Sequence, residues 1–205
     1  MISIEITIDD EIKQYDFPTS WDEITLEKYK KLYSIPQSED NNLMYSFDIL
    51  NSLTGIDKDI LYLMDLDDFK SLMDQLSFIY EPITSTNIDY VEINDEKYYL
   101  YTDYNKYTAG EIISIDTILK KHNNNYIQCM EELLCIFLRK KKEDKIERFK
   151  TELFSRKSMF SQIKISEINN VFVFFLTGNN LSTNNTKVSL QKPNKKKKNP
   201  SSKRS

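Results

Sequence analysis

The chain has 205 residues, of which 40% are hydrophobic and 12% aromatic, so it is long and apolar enough to bury a sizeable core. Its longest apolar run, residues 171–176, is far shorter than the ~20 residues that a membrane-spanning helix needs. The first residues lack the pattern of a signal peptide, so we expect a protein of the cytoplasm that makes no membrane contact.

Charge is distributed unevenly along the chain. All 32 acidic residues lie before residue 187, together with 20 basic ones, so this part has a net charge of −12. The remaining residues carry eight basic side chains and no acidic one. Because phosphate binding depends on clustered Lys and Arg, the acidic part argues against a nucleic-acid surface on the fold itself.

The N-terminal residues predict a β-hairpin. Residues Ile2 to Ile8 alternate between isoleucine and polar side chains, which places four isoleucines on one face of a strand. Asp9-Asp10 supplies a turn, and Glu11 to Phe17 can return as the second strand. Next, Ser20-Trp21-Asp22-Glu23 fits a helix capping box, and Thr25 provides a second helix start.

Apolar residues at helical spacing then predict a series of short helices around a shared core. The predicted helices begin at Thr25, span 43–54 with Gly55 as the C-terminal cap, run from Asp57 to Leu63, and run from Asp65 or Asp67 to Ile79. We attribute the acidic side chains at the last two starts to helix capping, because carboxylates are favourable there.

A second hairpin is predicted in the middle of the chain. Residues 88–93 and 97–102 have the composition of strands, with tyrosines that suit a half-exposed sheet, and Asn94-Asp95 forms the turn between them. Thr108-Ala109-Gly110-Glu111 is another capping box, which starts a helix that ends near His122.

The most regular helical pattern runs from Ile127 to Leu138, with the basic residues 139–142 at its C-terminal end, where they interact favourably with the helix dipole. Further helices are predicted at 144–156 and 167–177. Together these elements predict an α+β fold that is predominantly helical and has two β-hairpins.

The composition changes abruptly at Asn179, after which Asn, Ser, Thr, Pro and Lys dominate and no apolar period occurs. Such a segment has little to bury, so we expect a globular body at 1–178 and a disordered basic C-terminal tail at 179–205. An alternative organisation of the body is two packed lobes, at 1–80 and 88–178, since each begins with a hairpin followed by helices.

Signals for chemistry are weak throughout. The single histidine, His122, has no metal-binding partner at helical spacing, and the three glycines stand at predicted helix boundaries rather than in a phosphate loop. The acidic clusters 57–59 and 65–68 lack the glycine turn of a calcium loop. Cys129 and Cys135 lie on different faces of one helix and are expected to be buried core residues. We therefore predict no catalytic residue, metal or cofactor, and no enzyme activity.

Trp21, the only tryptophan, has two interpretations. It can anchor the first hairpin to the first helix within the core, as an aromatic residue between two such elements often does. It can also be a hot spot for binding a partner protein, because tryptophan is enriched at such positions. The sequence leaves both interpretations open.

The basic tail also has two interpretations. It can be a solvated segment that improves solubility, or it can contact nucleic acid or an acidic partner. Without aromatic residues or a folded groove, such binding would be weak, sensitive to salt and independent of sequence. The candidate residues are Lys195, Lys196, Lys197, Lys198, Lys203 and Arg204.

Several segments together resemble small proteins from the structural and assembly modules of tailed bacteriophages, particularly tail-assembly-chaperone-like proteins. The segments that carry the resemblance are Pro18-Thr19-Ser20-Trp21-Asp22-Glu23-Ile24-Thr25-Leu26, Leu53-Thr54-Gly55-Ile56, the second hairpin, Gly110-Glu111-Ile112-Ile113 and the closing residues Phe172 to Leu176. The resemblance covers residues 1 to about 178. It rests on packing motifs and not on catalytic signatures, so no site residue follows from it.

The resemblance implies a mostly helical adaptor or tail assembly chaperone that binds a tape-measure, tail or connector protein in the cytoplasm of the host cell. Such a protein would keep the apolar helices of its partner from aggregating before assembly. The alternative is a structural virion component, a connector or tail subunit, whose basic tail contacts DNA or an acidic partner. Both alternatives are non-enzymatic and act through protein binding.

Overall fold

The computed structural model describes residues 1–8, 11–36, 42–84, 89–101, 103–143 and 145–171. The helices are α1 (Leu26–Tyr33), α2 (Asn42–Thr54), α3 (Lys58–Leu63), α4 (Leu66–Gln75), α5 (Ala109–Lys121), α6 (Tyr126–Phe137), α7 (Lys157–Phe160) and α8 (165–171). The strands are β1 (Ile2–Ile8), β2 (Glu11–Phe17), β3 (Tyr90–Ile93), β4 (Glu96–Leu100), β5 (Leu138–Arg139), β6 (Lys141–Lys142) and β7 (Lys145–Ile146). Single 3-10 turns lie at Trp21–Glu23, Ser77–Tyr80, Tyr104–Lys106 and Thr151–Arg156. The fold is α+β and predominantly helical, as the sequence predicts.

The described residues belong to one compact unit, Met1–Phe172, and a second unit, Val173–Ser205, lies outside them. The predicted tail at 179–205 and most of the predicted helix at 167–177 therefore fall outside the described residues. The division of the body into two lobes stays a prediction. No helix in the described part of the chain has the length and apolar composition that crossing a membrane requires.

The first hairpin has the predicted strands, and its register runs from Ile2 opposite Phe17 to Ile8 opposite Glu11. The burial of its side chains differs from what a strand with one apolar face usually shows. Phe17 is fully buried, but Ile4 and Ile6 are only half-buried and Ile2 is exposed. The isoleucine face of β1 is thus only partly covered by the rest of the protein.

Local capping signals explain several helix ends. Thr25 accepts a hydrogen bond from the Lys28 amide at 3.3 Å and begins α1, and the capping box at Thr108 is complete and begins α5. Gly55 follows α2 with a φ of 78°, a left-handed conformation that glycine adopts without strain. The predicted box at Ser20 does not form within the described residues, because its side chain makes no cap hydrogen bond.

The second hairpin is also confirmed, with the turn residues Asn94 and Asp95 at φ values of 52° and 62°. The structure adds a third strand, because β5 pairs with β4 and places Tyr99 opposite Arg139. The basic residues 139–142 follow the C-terminal end of α6, as predicted, and Arg139 donates a hydrogen bond to the carbonyl of Ile136 in its last turn. Their pairing in strands was not predicted. Helix α6 ends at Phe137, and the chain continues directly into the sheet.

The predicted helix at 144–156 is wrong. Its first described residues, Lys145–Ile146, form β7, which pairs with β6 in a short hairpin, and only Thr151–Arg156 winds into a 3-10 turn. Hydrogen bonds of Glu147 that do not follow helical spacing stabilise this conformation. Glu147 accepts two hydrogen bonds from Arg156, at 2.7 and 2.8 Å, and its amide donates to the carbonyl of Lys140 at 2.9 Å. Pairing between residues seven and nine positions apart overrides the helical propensity of this lysine- and glutamate-rich stretch.

Helix α6 lies at the centre of the core, since every residue from Cys129 to Arg139 is buried. Helices α1, α5 and α7 pack against it. Both cysteines are free and buried, as predicted, and burial raises the pKa of Cys129 to about 11 and that of Cys135 to about 12. These thiols are therefore protonated, inert core groups.

The segment before α1 pairs with the segment before α8. The Leu26 amide donates to the carbonyl of Ile163, and the Ile165 amide donates to that of Ile24, each at 2.8 Å. These two bonds flank an isolated antiparallel bridge between Thr25 and Lys164. They fix α8 beside α1, and residues of both helices line one groove.

Candidate partner-binding groove

A groove of about 740 Å³ opens between α1, α2, α8 and the segment that follows α4. Most of the side chains that line it are aromatic or aliphatic. They are Trp21, Tyr29, Leu32, Tyr33, Ile35, Tyr45, Ile49, Ile79, Tyr80, Glu81, Pro82, Ile83 and Asn169. A concave surface of this composition is typical of a binding site for an apolar ligand or side chain.

Trp21 forms the floor of the groove and is only 9% exposed. Its ring makes edge-to-face contacts with Phe78 at 5.3 Å and with Tyr29 at 5.8 Å between ring centres. The indole nitrogen donates a hydrogen bond to the carbonyl of Glu81 at 3.0 Å. Trp21 thus packs as a core anchor and also lines the candidate site.

Two tyrosines stand at the rim. Tyr33, on the last turn of α1, is 60% exposed, and Tyr80 is 71% exposed. The ring of Tyr33 lies 4.8 Å from that of Tyr29, which is buried one helical turn earlier. Burial, together with a hydrogen bond to Tyr33, raises the pKa of Tyr29, so the neutral phenol is the form that packs here. A large apolar area is therefore open to solvent beside a fixed aromatic floor.

The wall formed by residues 79–83 is held in place by two side chains from distant parts of the chain. Trp21 bonds the carbonyl of Glu81, and the side-chain amide of Asn169 on α8 donates to the carbonyl of Ile83 at 3.0 Å. These bonds join segments 60 and 86 residues apart. The groove is therefore preorganised by the fold.

A second cluster gathers charged groups around Glu132 on α6. The carboxylate lies within 3.2 Å of the Lys121, His122 and Lys157 side chains. Burial alone would raise the pKa of Glu132, but the hydrogen bonds from these three groups lower it to about 2. A carboxylate that stays ionised and fully engaged suits a structural ion pair between helices better than proton transfer.

The most deeply buried charges are Arg139 and Glu111. The Arg139 guanidinium donates to the Glu111 carboxylate at 2.7 Å and to the backbone carbonyls of Ile136 and Glu147. The same carboxylate accepts the Thr108 amide at 2.6 Å as part of the capping box. This pair joins the start of α5 to β5, and no local pattern indicates it because the two residues are 28 positions apart.

The acidic clusters lie at the starts of α3 and α4, as predicted, but without the capping bond that was expected of them in the described structure. Asp57 and Asp65 occupy the positions before α3 and α4, but within the described residues neither side chain makes a cap hydrogen bond. In the same part of the chain, no group of three or more His, Cys, Asp or Glu side chains is arranged to hold a metal ion. The absence of a metal, of a cofactor and of enzyme activity stays a prediction.

The structure places one of the predicted site residues and leaves the others aside. Trp21 lies in the groove, whereas the tail candidates fall outside the described residues. Those tail candidates are Lys195, Lys196, Lys197, Lys198, Lys203 and Arg204. Sequence reasoning did not single out Tyr33, Tyr80 or Asn169, although the spacing of Tyr29 and Tyr33 on one face of α1 was a usable signal.

Comparisons with protein-family models, with curated proteins and with solved structures gave no match for this chain. The function proposed below therefore depends on the geometry of the groove, on its exposed tyrosines and on the distribution of charge.

Proposed function

We propose that the protein is a non-enzymatic binding protein whose groove receives an apolar helix of a partner protein. The observation that supports this most directly is the pair of exposed tyrosines, Tyr33 and Tyr80, beside the buried Trp21. Tyrosine and tryptophan supply large contact areas with few rotatable bonds, and they dominate the energetics of many interfaces. Because the groove walls are already hydrogen-bonded, little ordering would oppose binding.

The chemistry of the groove indicates what its partner presents. An amphipathic helix that places apolar residues at positions i, i+3, i+4 and i+7 would bury them against the aromatic floor and the two exposed tyrosines. The part of the chain before residue 187 has a net charge of −12, so basic residues flanking that stripe would speed association. We propose that the partner helix is apolar on one face and basic at its margins.

The resemblance to phage proteins suggests the process in which this binding would act, the assembly of the phage particle. We propose that the protein is an assembly chaperone or adaptor that covers an apolar helix of a tape-measure, tail or connector protein until assembly. Exposed apolar helices aggregate, and a groove that sequesters one face would suppress this. The role needs affinity and release but no catalytic group.

The direct test measures co-purification of each candidate partner, a tape-measure, tail or connector protein, co-expressed with the full chain. We expect Tyr33→Ala combined with Tyr80→Ala to abolish co-purification, while the thermal midpoint stays within a few degrees because both side chains are exposed. Tyr62→Ala is the matched control, since Tyr62 is an exposed tyrosine outside the groove. Trp21 is a poor probe, because truncating a buried tryptophan costs about 3–5 kcal/mol and would confuse binding with folding.

Retention of a partner by the double tyrosine variant would contradict the groove proposal. Equal loss with Tyr62→Ala would show that the partner binds elsewhere or responds to general destabilisation. Presence of the protein in purified particles at fixed stoichiometry would favour a structural subunit over a chaperone, which would be found in lysate but not in particles.

The alternative function, a virion component that contacts DNA or an acidic partner through its tail, is favoured by the eight basic and no acidic residues after residue 186. Binding of this kind is electrostatic and weakens steeply as salt rises. We expect a chain ending at Thr186 to lose such a partner and to keep a groove-bound one. Loss of every partner on truncation would favour the tail over the groove.

A further inference from the structure

In the part of the chain that the structure describes, one edge of strand β1 is not covered by another strand. It belongs to a sheet of two strands, in which β2 pairs with one edge of β1 along its full length. Among the described residues, no other backbone hydrogen bond joins β1. Proteins commonly protect such edges with charged side chains, proline or a bulge. Ile2–Ile8 has no proline and no bulge, and its one charged side chain, Glu5, accepts a hydrogen bond from Gln14 of β2 at 2.9 Å.

A trough of about 600 Å³ runs along this edge. It is lined by four consecutive residues, Ile4 to Thr7, whose side chains alternate between the two faces of the sheet. A single cavity that touches all four must lie at the side of the strand, and β2 occupies the other side. The opposite wall comes from α3 and α4 and includes Leu63 and Leu72.

The trough is open and combines apolar with polar side chains. Leu63 is 82% exposed, and Ile4 and Ile6 are only half-buried, whereas Leu72 is buried at the base. Exposed leucine and isoleucine beside unpaired backbone groups form a surface that favours pairing with another extended chain.

The charges of the trough are all of one sign. Glu5, Asp65 and Asp68 line it, and no Lys or Arg is among the described residues that do so. The Asp65 side chain makes no cap bond in the described structure, and the nearby Lys70 pairs with Asp67, at 3.4 Å. Two carboxylates are thus left without a cationic partner in this part of the chain, beside an apolar strand edge.

We propose that the trough binds an extended, basic segment of a partner protein, which adds to β1 as a third strand. Its backbone would pair with the open edge of β1 and its apolar side chains would contact Leu63, while Lys or Arg would reach Asp65 and Asp68. A helix would leave the edge unpaired, because its own backbone groups already bond one another. This site is independent of the groove at Trp21.

The test uses the full chain and labelled eight-residue peptides with blocked ends, read by fluorescence anisotropy. One peptide alternates valine and lysine, a second replaces lysine with glutamate, and a third carries a central proline in the lysine peptide. We expect only the first to bind, and we expect its binding to slow amide exchange in β1 and to weaken as salt rises. Comparable binding of the glutamate or proline peptide, or no protection of β1, would overturn the proposal.

Variants separate the contributions. Asp65→Asn combined with Asp68→Asn is expected to weaken the lysine peptide about fivefold, since each partly exposed ion pair contributes modestly. Leu63→Lys is expected to weaken it further without unfolding the protein, because Leu63 is almost fully exposed. The matched control, Asp59→Asn, removes a carboxylate of α3 that does not line the trough and should change nothing.

The outcome is distinguishable from that of the groove. Tyr33→Ala combined with Tyr80→Ala should leave the affinity for the lysine peptide unchanged, because neither tyrosine lines the trough. If the two aspartate substitutions have no effect, or if a helical peptide of the same composition binds more tightly, the strand-addition proposal is wrong.

Discussion

Helix α6 and the β1–β2 hairpin differ in how deeply their side chains are buried. From Cys129 to Arg139 every residue is buried, including three that carry charge. In the hairpin, by contrast, Phe17 is the only buried residue among the described side chains. The difference separates two roles. The surroundings of α6 hold the fold together, whereas the periphery offers the apolar surface that a partner can cover.

The charges around α6 show how the core is specified. Glu131 accepts Lys30 of α1 at 2.6 Å, Glu132 joins α5 and α7, and Arg139 bonds Glu111 of α5. Each buried charge is therefore matched by a group from another element. Such pairs add little net stability compared with apolar residues, but they are costly to break singly, so they favour one arrangement of the helices.

The largest expected effect comes from Arg139→Ala. Removing the guanidinium leaves the Glu111 carboxylate buried without its partner, so we expect the free energy of unfolding to fall by about 3–5 kcal/mol. Urea denaturation measures this. Lys140→Ala is the control from the adjacent position, since the ion pair of Lys140 with Glu96 is half-exposed and should contribute under ~1 kcal/mol.

A double variant sharpens the same comparison. Arg139→Met with Glu111→Gln removes both charges and keeps most of the volume, so we expect it to be more stable than Arg139→Ala alone. If Arg139→Ala and Lys140→Ala cost the same, α6 and β5 would not be the structural centre that their burial indicates.

The acid dependence of stability should report on Glu132. Its pKa is lowered from 4.5 to about 2 in the folded protein, so the stabilisation is fully present above about pH 4.5 and is lost as pH falls towards 2. We expect Glu132→Gln to be less stable than wild type at neutral pH and the gap to close across that window. Unfolding free energies of both proteins at a series of pH values measure this.

The control for Glu132 is Asp116→Asn, which removes a carboxylate paired with Lys120 on the exposed face of α5. It should change the free energy of unfolding by under ~1 kcal/mol, because exposed pairs of this kind are weak. A gap between wild type and Glu132→Gln that does not change with pH would show that the side chains of Lys121, His122 and Lys157 do not hold the carboxylate ionised.

What the sequence predicted well is what local patterns determine. The alternation of isoleucines predicted β1, the threonines at 25 and 108 predicted two helix starts, and Gly55 predicted a helix end. The errors lie where contacts outside helical spacing determine the structure. Residues 144–156 have helical composition, but the pairing of Glu147 with Arg156 and Lys140 draws them into a hairpin and a turn.

The candidate sites were predictable only in part, for the same reason. Trp21 could be singled out by its rarity, but the wall that completes the groove is positioned by Asn169, far along the chain. Likewise, the local sequence predicts that Asp65 is a helix cap. Only the packing of α3 and α4 beside β1 places it at an open strand edge. Periodicity predicts which residues share one face of a helix or strand, but it does not predict which other element packs against that face.

The two capping boxes give a smaller and more local test. Thr108→Ala removes an N-cap whose bonds also hold Glu111, so we expect a loss of about 1 kcal/mol in the free energy of unfolding. Ser20→Ala should be neutral, because the equivalent bond is not formed in the described structure. Urea denaturation of both variants is the measurement. Equal losses would mean that the Ser20 box forms in solution.

The smallest expected effect lies in the hairpin. Ile12 on β2 is 65% exposed, and its side chain points away from the face that carries Ile4 and Ile6, so Ile12→Thr should change stability by less than about 0.5 kcal/mol.

Native-state hydrogen exchange compares the local stability of the hairpin with that of α6. We expect amides of α6 to exchange only through global unfolding, and amides of β1 and β2 to exchange earlier through local opening. If the hairpin amides were as protected as those of α6, the hairpin would belong to the cooperative core, and its exposed edge would have to be covered by another chain even in the purified protein.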